Sequence, residues 1–281
     1  MLDVTQVDFR TPVGEPALVA PESVSWRVFK NPVALYIGGI SAVLLELALP
    51  QVRCGVWNHS TFRSDPMGRL RRTGLAALVT VYGPRSTAER MIRDVTRLHE
   101  AVRGETPDGV AYHALDPELL GWVHSTACFG FLQAYHRFVR PLTQETRDDF
   151  YAEATPSARL YGAPDSPGCE AELEARFEAV LPRLEASPVV FEFLEIMRST
   201  PRLPPGLGAL REALIRAAVD RVPAPVRERL GLGAQLGLSG WQCRAVRLAA
   251  RGADRLPLPS APPAQACQRL GLPASHLYRG T

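Results

Sequence analysis

Residues Val33–Leu49 read VALYIGGISAVLLELAL, an apolar run that contains a glycine pair and one charged residue, Glu46, and that ends at a proline. The run is short for a membrane span, and the acid and the glycines inside it favour a buried core helix from about Pro32 to Leu49. We therefore expect no transmembrane segment. A loose contact with a membrane surface stays open.

Helical periodicity continues after this run. A helix is expected in the first part of Pro66–Tyr82. The clearest helix follows, between an S-x-x-E capping box at Ser86 and Glu89 and a stop at Gly104. Asp116-Pro117 then opens a long apolar helix from Glu118 to about Arg140. Further helices are predicted at about residues 143–151, 170–183, 187–199, 207–221, 224–231 and 239–252, and a short one is expected after the proline-rich tail near residue 260.

The segments between these helices look irregular. CGVWNHSTFRSDP, residues 54–66, is predicted to be a polar connection, and residues 155–168 a loop rich in Pro, Gly and Ser. Residues 1–30 carry prolines without sustained periodicity and are interpreted as an N-terminal arm. Residues 31–281 are predicted to form a single all-helical domain, with a core at 31–165 and C-terminal helices at 166–281. No strand alternation and no repeat is visible, so the predicted fold class is all-α.

Composition excludes several classes of protein. The net charge of +3 is too small to indicate a nucleic-acid partner, and 46% hydrophobic with 22% charged residues is ordinary for a soluble globular protein. The five cysteines are scattered without C-x-x-C or C-x-x-C-H, which speaks against a zinc knuckle and against covalent c-type haem. Reduced thiols and an N-terminus without a signal-peptide pattern lead us to expect a cytoplasmic protein.

His99 is the first candidate site residue. It follows Val95 by four residues in the capped helix, so it falls on the apolar stripe of Ile92, Val95, Leu98 and Val102, with Arg103 one turn further on. A histidine on an apolar face beside an arginine is unexpected if the helix merely packs. The alternative is a core histidine bonded to a backbone carbonyl.

Two weaker clusters accompany it. Arg69 and Arg72 share a helix face with Thr73 one turn beyond Arg69, an arrangement that suits an anionic group such as a propionate. The alternative is a solvated basic face. His124 shares an apolar stripe with Cys128 and is either a second pocket residue or a satisfied core histidine.

The sequence lacks the motifs that other metal sites and nucleophilic enzymes require. None of the six histidines has an acidic residue three positions before it, which a carboxylate-bridged di-iron bundle requires. H-E-x-x-H fails because Arg103 stands where the second histidine is needed. No G-x-S-x-G, Walker loop or dinucleotide-binding glycine pattern occurs.

An ordered set of motifs resembles a known family. LLELALPQV, NHSTFRSDPMGRLRRT, RLHEAVRG and YHALDPELLGWVHST occur in this order, and weaker similarity continues toward the C-terminal third. Together they resemble the catalytic domain shared by the oxygenase MpaB and the latex-clearing protein (rubber oxygenase).

The resemblance implies a globin-like all-α domain that encloses a pocket for one haem b (iron protoporphyrin IX). His99 matches the histidine that binds the iron, and Arg103 the arginine after it. Arg69 and Thr73 match an R-x-x-[KR]-T element across the haem. Arg72 stands where the latex-clearing branch often has lysine, and because arginine stays protonated, an open or water-occupied distal site is expected.

The resemblance also implies a function. We expect a haem-dependent oxygenase that uses dioxygen, an unidentified electron donor and an apolar substrate, isoprenoid-like or lipid-like. Glu46 is a candidate proton-transfer group and Arg72 a second catalytic candidate, with His124 in the cofactor pocket. Two alternatives remain open: a haem-binding sensor or carrier without turnover, and a helical interaction protein without a cofactor.

Overall fold

The fold was determined as a computed structural model that describes residues 7–199 and 208–278. The predicted all-α class is confirmed, with 68% helix and one very small sheet. The α-helices of the described ranges are α1 (Val24–Phe29), α2 (Pro32–Ala48), α3 (Pro50–His59), α4 (Pro66–Tyr82), α5 (Arg85–His99), α6 (Pro117–Phe138), α7 (Gln144–Leu160), α8 (Glu170–Val180), α9 (Pro188–Ser199), α10 (Gly208–Arg221), α11 (Ala224–Arg229), α12 (Gly240–Asp254) and α13 (Pro262–Arg269), and the strands are β1 (Arg103–Glu105) and β2 (Ala111–His113).

Helix α2 lies at the centre and packs most extensively against α6. The two helices approach so closely that a Cβ added at Gly38 would lie 2.7 Å from the carbonyl oxygen of Gly130. The indole nitrogen of Trp122 on α6 donates to the carbonyl of Leu45 on α2 at 3.3 Å. The apolar run of residues 33–49 is therefore the buried core helix that the sequence predicts.

The start of α5 differs from the prediction. Pro84 is the N-cap and offers no side-chain bond, so the expected capping box of Ser86 and Glu89 does not form. Ser86 lies inside the first turn, and its N–H donates to the carboxylate of Glu15 at 2.6 Å. A side chain from the N-terminal segment thus satisfies a helix donor that would otherwise lack a partner.

The end of α5 also differs. The helix ends at His99 rather than continuing to Gly104, and Arg103 opens β1. Strands β1 and β2 form an antiparallel hairpin in which Arg103 is paired with His113. Gly109 turns the hairpin at φ +79°, a conformation that glycine adopts readily. Three-residue strands are too short to show an alternating pattern, which is why the sequence did not predict them.

Other helices extend beyond their predicted limits. The stretch expected to be a polar connection is partly helical, because α3 runs to His59, and α4 continues to Tyr82. Helix α7 reaches Leu160 and contains Pro156, so the predicted loop at 155–168 begins later than expected. Residue 207, the predicted start of the helix at 207–221, lies outside the described residues.

The described part of the N-terminal arm packs against the helices. Trp26 on α1 is completely buried, and its indole nitrogen donates to Val19 O at 3.0 Å. The buried guanidinium of Arg269 on α13 donates to Phe9 O at 2.6 Å and to Tyr82 O at 2.8 Å. These bonds tie the arm to α4 and to the C-terminal part of the chain. The first six residues of the predicted arm are outside the described ranges.

In the part of the chain that the structure describes, no single helix has both the length and the hydropathy to cross a membrane; α2 and α3 reach those values only as a pair bent by 111°.

Candidate functional site

Three helices bring Glu46, Arg69 and His99 into one electrostatic cluster. Glu46 lies near the end of α2, Arg69 in the first turn of α4 and His99 at the end of α5. Burial raises the pKa of Glu46 and lowers that of His99, and the positive charge of Arg69 acts to lower both, so its guanidinium is within electrostatic reach of the carboxyl and of the imidazole. Arg69 thus interacts with residues from two other helices.

His99 presents a free, neutral imidazole. The ring is half-buried and forms no hydrogen bond with any residue of the described ranges. Burial lowers its pKa, and the neighbouring charge of Arg69 lowers it further. The backbone carbonyl bond that a structural core histidine would make is absent among these residues. A neutral imidazole with an available nitrogen is a good ligand for a transition metal, haem iron included.

The apolar stripe that placed His99 is only partly buried. Ile92 is 3% exposed, whereas Leu98, which the spacing placed on the same buried face, is 58% exposed. The partial burial of His99 therefore depends on α5 packing against α4, and not on a continuous buried stripe.

Glu46 is a carboxyl that titrates near neutral pH. Burial raises its pKa to about 7, and the charge of Arg69 opposes that rise. Part of its side-chain surface nevertheless stays accessible. Such a carboxyl is suited to hold or release a proton at physiological pH.

Arg69 is held by its own helix. Its guanidinium donates to the hydroxyl of Thr73, and that hydroxyl donates to Arg69 O at 3.0 Å. Burial lowers the pKa of Arg69 and the charge of Glu46 raises it again. Arg69 and Thr73, which the sequence places one turn apart, are therefore in contact.

Arg72 has different partners. Its guanidinium donates to Thr61 Oγ1 at 2.6 Å and forms an ion pair with Asp65 Oδ2 at 3.4 Å, and about 40% of its side chain is exposed. Arg72 thus ties the start of α4 to the turn before it. It lies within electrostatic range of Arg69, whose pKa it lowers.

Arg103 does not share a helical face with His99. Because α5 ends at His99, the arginine four residues later belongs to β1, where it is exposed. The predicted one-turn relationship between the two residues is therefore wrong.

His124 lies on α6 beside Cys128 and Arg176. Its Nε2 is 3.4 Å from Cys128 Sγ. Burial lowers the pKa of His124 to about 4, with a smaller contribution from the positive charge of Arg176. Like Glu46, this side chain keeps partial exposure despite strong desolvation. His124 is therefore a neutral imidazole with part of its surface accessible.

Sequence reasoning missed two members of these surroundings. Tyr161, at the end of α7, has a hydroxyl 3.0 Å from Thr80 Oγ1 on α4, and burial raises its pKa. Arg176 reaches His124 from α8. Neither residue lies in a motif, and both are far in sequence from their partners. The sequence does indicate that Cys128 lies beside His124, because the two residues are four positions apart on one helix.

Within the described ranges, no group of three or more His, Cys, Asp or Glu side chains could hold a metal ion. An iron that is already bound by the four nitrogens of a porphyrin needs a single axial residue, and the unbonded ring of His99 has the chemistry for that role. The chemistry of His99 therefore fits an axial ligand of haem iron.

Comparison with known proteins gives one match. The family profile described as "ER-bound oxygenase mpaB/B'/Rubber oxygenase, catalytic domain" covers residues 26–255. No curated protein and no solved structure matches the chain.

Proposed function

Because this chain belongs to the family of the oxygenase mpaB and the rubber oxygenase catalytic domain, we propose that it is a haem b-dependent oxygenase. We propose an apolar substrate, isoprenoid-like or lipid-like, and dioxygen as the second substrate. The observation that carries the haem assignment is the neutral, unbonded imidazole of His99 within the electrostatic reach of Arg69.

His99 is the proposed iron ligand, and Arg69 is the proposed partner of an anionic group such as a propionate. The guanidinium of Arg69 is largely desolvated and fixed by Thr73, so a charge-assisted bond to an anion would be strong there. When bound, haem supplies the oxidising chemistry with dioxygen, which no side chain of the chain provides.

Glu46 is the proposed proton-transfer residue. Its carboxyl is close to half-protonated at neutral pH, since its pKa is about 7. It can therefore give up a proton from its hydroxyl oxygen and take one back without a large free-energy change. Arg69 stabilises the ionised carboxylate and so keeps the pKa from rising further.

His124 is proposed to contribute a neutral, weakly polar wall. With a pKa of about 4, its ring carries no positive charge at neutral pH and does not attract water as an imidazolium would. Such a wall suits an apolar substrate. We propose no direct role in iron binding for Arg103, which is exposed on the hairpin.

The test is oxygen uptake by the haem-loaded protein with a reductant and unsaturated isoprenoid oligomers. We expect uptake that depends on the substrate, that is lost in His99→Ala and that is strongly reduced in Glu46→Gln. His113→Gln, a change on the exposed hairpin, is the matched control and should retain activity. Stable haem binding without uptake would instead favour a sensor or carrier, and failure to bind haem would favour an interaction protein without a cofactor.

A further inference from the structure

Exposed apolar side chains concentrate in one short part of the surface. Nine large hydrophobic residues of the described ranges are exposed, and four of them lie between residues 241 and 258. On α12, Trp241 is 57% and Leu248 is 77% exposed, and Leu256 and Leu258 follow directly after the helix. A concentration of this kind on a protein surface usually marks an interaction site.

Helix α12 has two distinct faces. Gln242, Val246, Ala250 and Asp254 are buried against the rest of the molecule. The opposite face carries, at helical spacing, Trp241, Arg244, Leu248, Arg251 and Arg255, all of them exposed. We call these five residues, with Leu256 and Leu258, the outer face of α12. It combines exposed apolar and cationic side chains.

The charge of the outer face is positive. The one acid on α12, Asp254, is buried and forms an ion pair with Lys30 at 3.3 Å. No ion pair joins Arg244, Arg251 or Arg255 to an acid of the described ranges, and the one bond of the Arg251 side chain is from Nε to Val139 O at 3.3 Å. The arginine charges therefore lack an acidic partner within that part of the protein.

We propose that the outer face of α12 docks this protein on the surface of an anionic lipid bilayer. Leucine side chains from a helix lying in the plane of the interface enter the acyl boundary, and tryptophan settles at the level of the headgroups. Arginine stems extend along the apolar layer while their guanidinium groups reach lipid phosphates. Charge complementarity and this mixture of apolar and cationic side chains favour a lipid surface over a protein partner.

The chain carries its own reporter for this contact. Trp26, Trp57 and Trp122 are at most 7% exposed, so Trp241 is the one exposed tryptophan of the four. With vesicles of phosphatidylcholine and phosphatidylserine at low salt, we expect the protein to float with the lipid and its tryptophan emission to shift to the blue. Vesicles of phosphatidylcholine alone should bind much more weakly, and added salt should weaken binding to the anionic vesicles.

Exposed positions allow variants that should leave the fold intact. Leu248→Ser combined with Arg244→Ala should weaken binding to anionic vesicles roughly ten-fold. Val13→Ser combined with Arg137→Ala removes an equally exposed apolar residue and an exposed arginine elsewhere, and should bind like the unaltered protein. Trp241→Phe should still float with the vesicles but lose the blue shift.

Three results would overturn the proposal. The first is absence of flotation with anionic vesicles, and the second is unchanged flotation of the variant with Leu248→Ser and Arg244→Ala. The third is a dimer in gel filtration that this same variant converts to a monomer, which would assign the outer face of α12 to a second copy of the chain.

Discussion

The thiol of Cys128 and the imidazole of His124 lie one turn apart on α6, with Sγ 3.4 Å from Nε2. Burial raises the pKa of Cys128 to about 12 and lowers that of His124 to about 4, so both groups are neutral at physiological pH. We assign the thiol as the donor, since an imidazole nitrogen accepts more strongly than sulfur. His124 then carries its own proton on Nδ1.

His124 predicts a pH dependence of stability. A histidine whose pKa falls from 6.5 to about 4 on folding takes up a proton more readily when unfolded. The free energy of unfolding should therefore decline as the pH falls from about 6.5 to about 4, by at most about 1.4 kcal/mol per pH unit for this group. Urea denaturation across this range should show a smaller decline in His124→Gln than in the unaltered protein.

His113→Gln, on the exposed hairpin, is the control for that series and should leave the decline as it is. Equal slopes for His124→Gln and the unaltered protein would show that His124 is not neutralised by folding.

Cysteine reactivity tests the same surroundings. The thiolate is the nucleophile, and burial raises the pKa of Cys54, Cys128 and Cys267. We expect Ellman's reagent at pH 8 to modify Cys169 and Cys243, which are partly exposed, and to reach the buried three only after denaturation. A variant with Cys169→Ser and Cys243→Ser should lose the fast phase. A fast phase that persisted in it would place a buried thiol at the surface.

The contact between α2 and α6 gives a matched pair of substitutions. At Gly38 an added Cβ would meet the backbone of Gly130 at 2.7 Å, whereas at Gly39 the nearest atom would be 3.9 Å away on Phe131. Gly38→Ala should destabilise the protein by roughly 1–3 kcal/mol. Gly39→Ala should stabilise it by up to about 1 kcal/mol because alanine favours the helix. Urea midpoints that move together for the two variants would contradict this close packing.

The sequence predicted the start of a helix correctly where a local capping side chain and a proline set it. Asn31 and Asp116 each accept from the first backbone N–H groups of a helix that opens with proline, and α2 and α6 begin where predicted. The end of α5 was not readable, because residues 100–103 continue a helical pattern that the pairing of β1 with β2 overrides. The pairing of the two strands thus outweighs the local helix propensity of these residues.

The sequence predicted individual residues of the candidate site but not their arrangement in space. His99, Arg69 and Glu46 each stood out by chemistry or motif, but their mutual proximity arises from how α2, α4 and α5 pack. The sequence did not indicate Arg176 as a site residue, because its effect on the pKa of His124 depends on α8 lying beside α6. The predicted position of Arg103, one helical turn after His99, was wrong because it required α5 to continue beyond His99, where the helix ends.

The raised pKa of Glu46 predicts a pH dependence of stability that is opposite in sign to the one expected from His124. Folding raises its pKa from 4.5 to about 7, so stability from this group is present below pH 4.5 and is lost as the pH rises through about 7. Glu46→Gln should remove that loss and make the variant relatively more stable at pH 8 than at pH 5. Paired denaturation curves at the two pH values would measure it.

Arg69→Met sharpens this test. Without the opposing positive charge, the pKa of Glu46 should rise further, and the loss of stability should move to higher pH. A shift to lower pH, or none, would show that the two groups do not interact.

The central claim is that His99 binds haem iron, and an absorption spectrum tests it directly. Haem titrated into the purified apoprotein should give a sharp Soret band with a stoichiometry of one, in the unaltered protein and in His113→Gln alike. His99→Ala should lose that band or show one that is weak and shifted. A full, unshifted Soret band in His99→Ala would contradict the assignment.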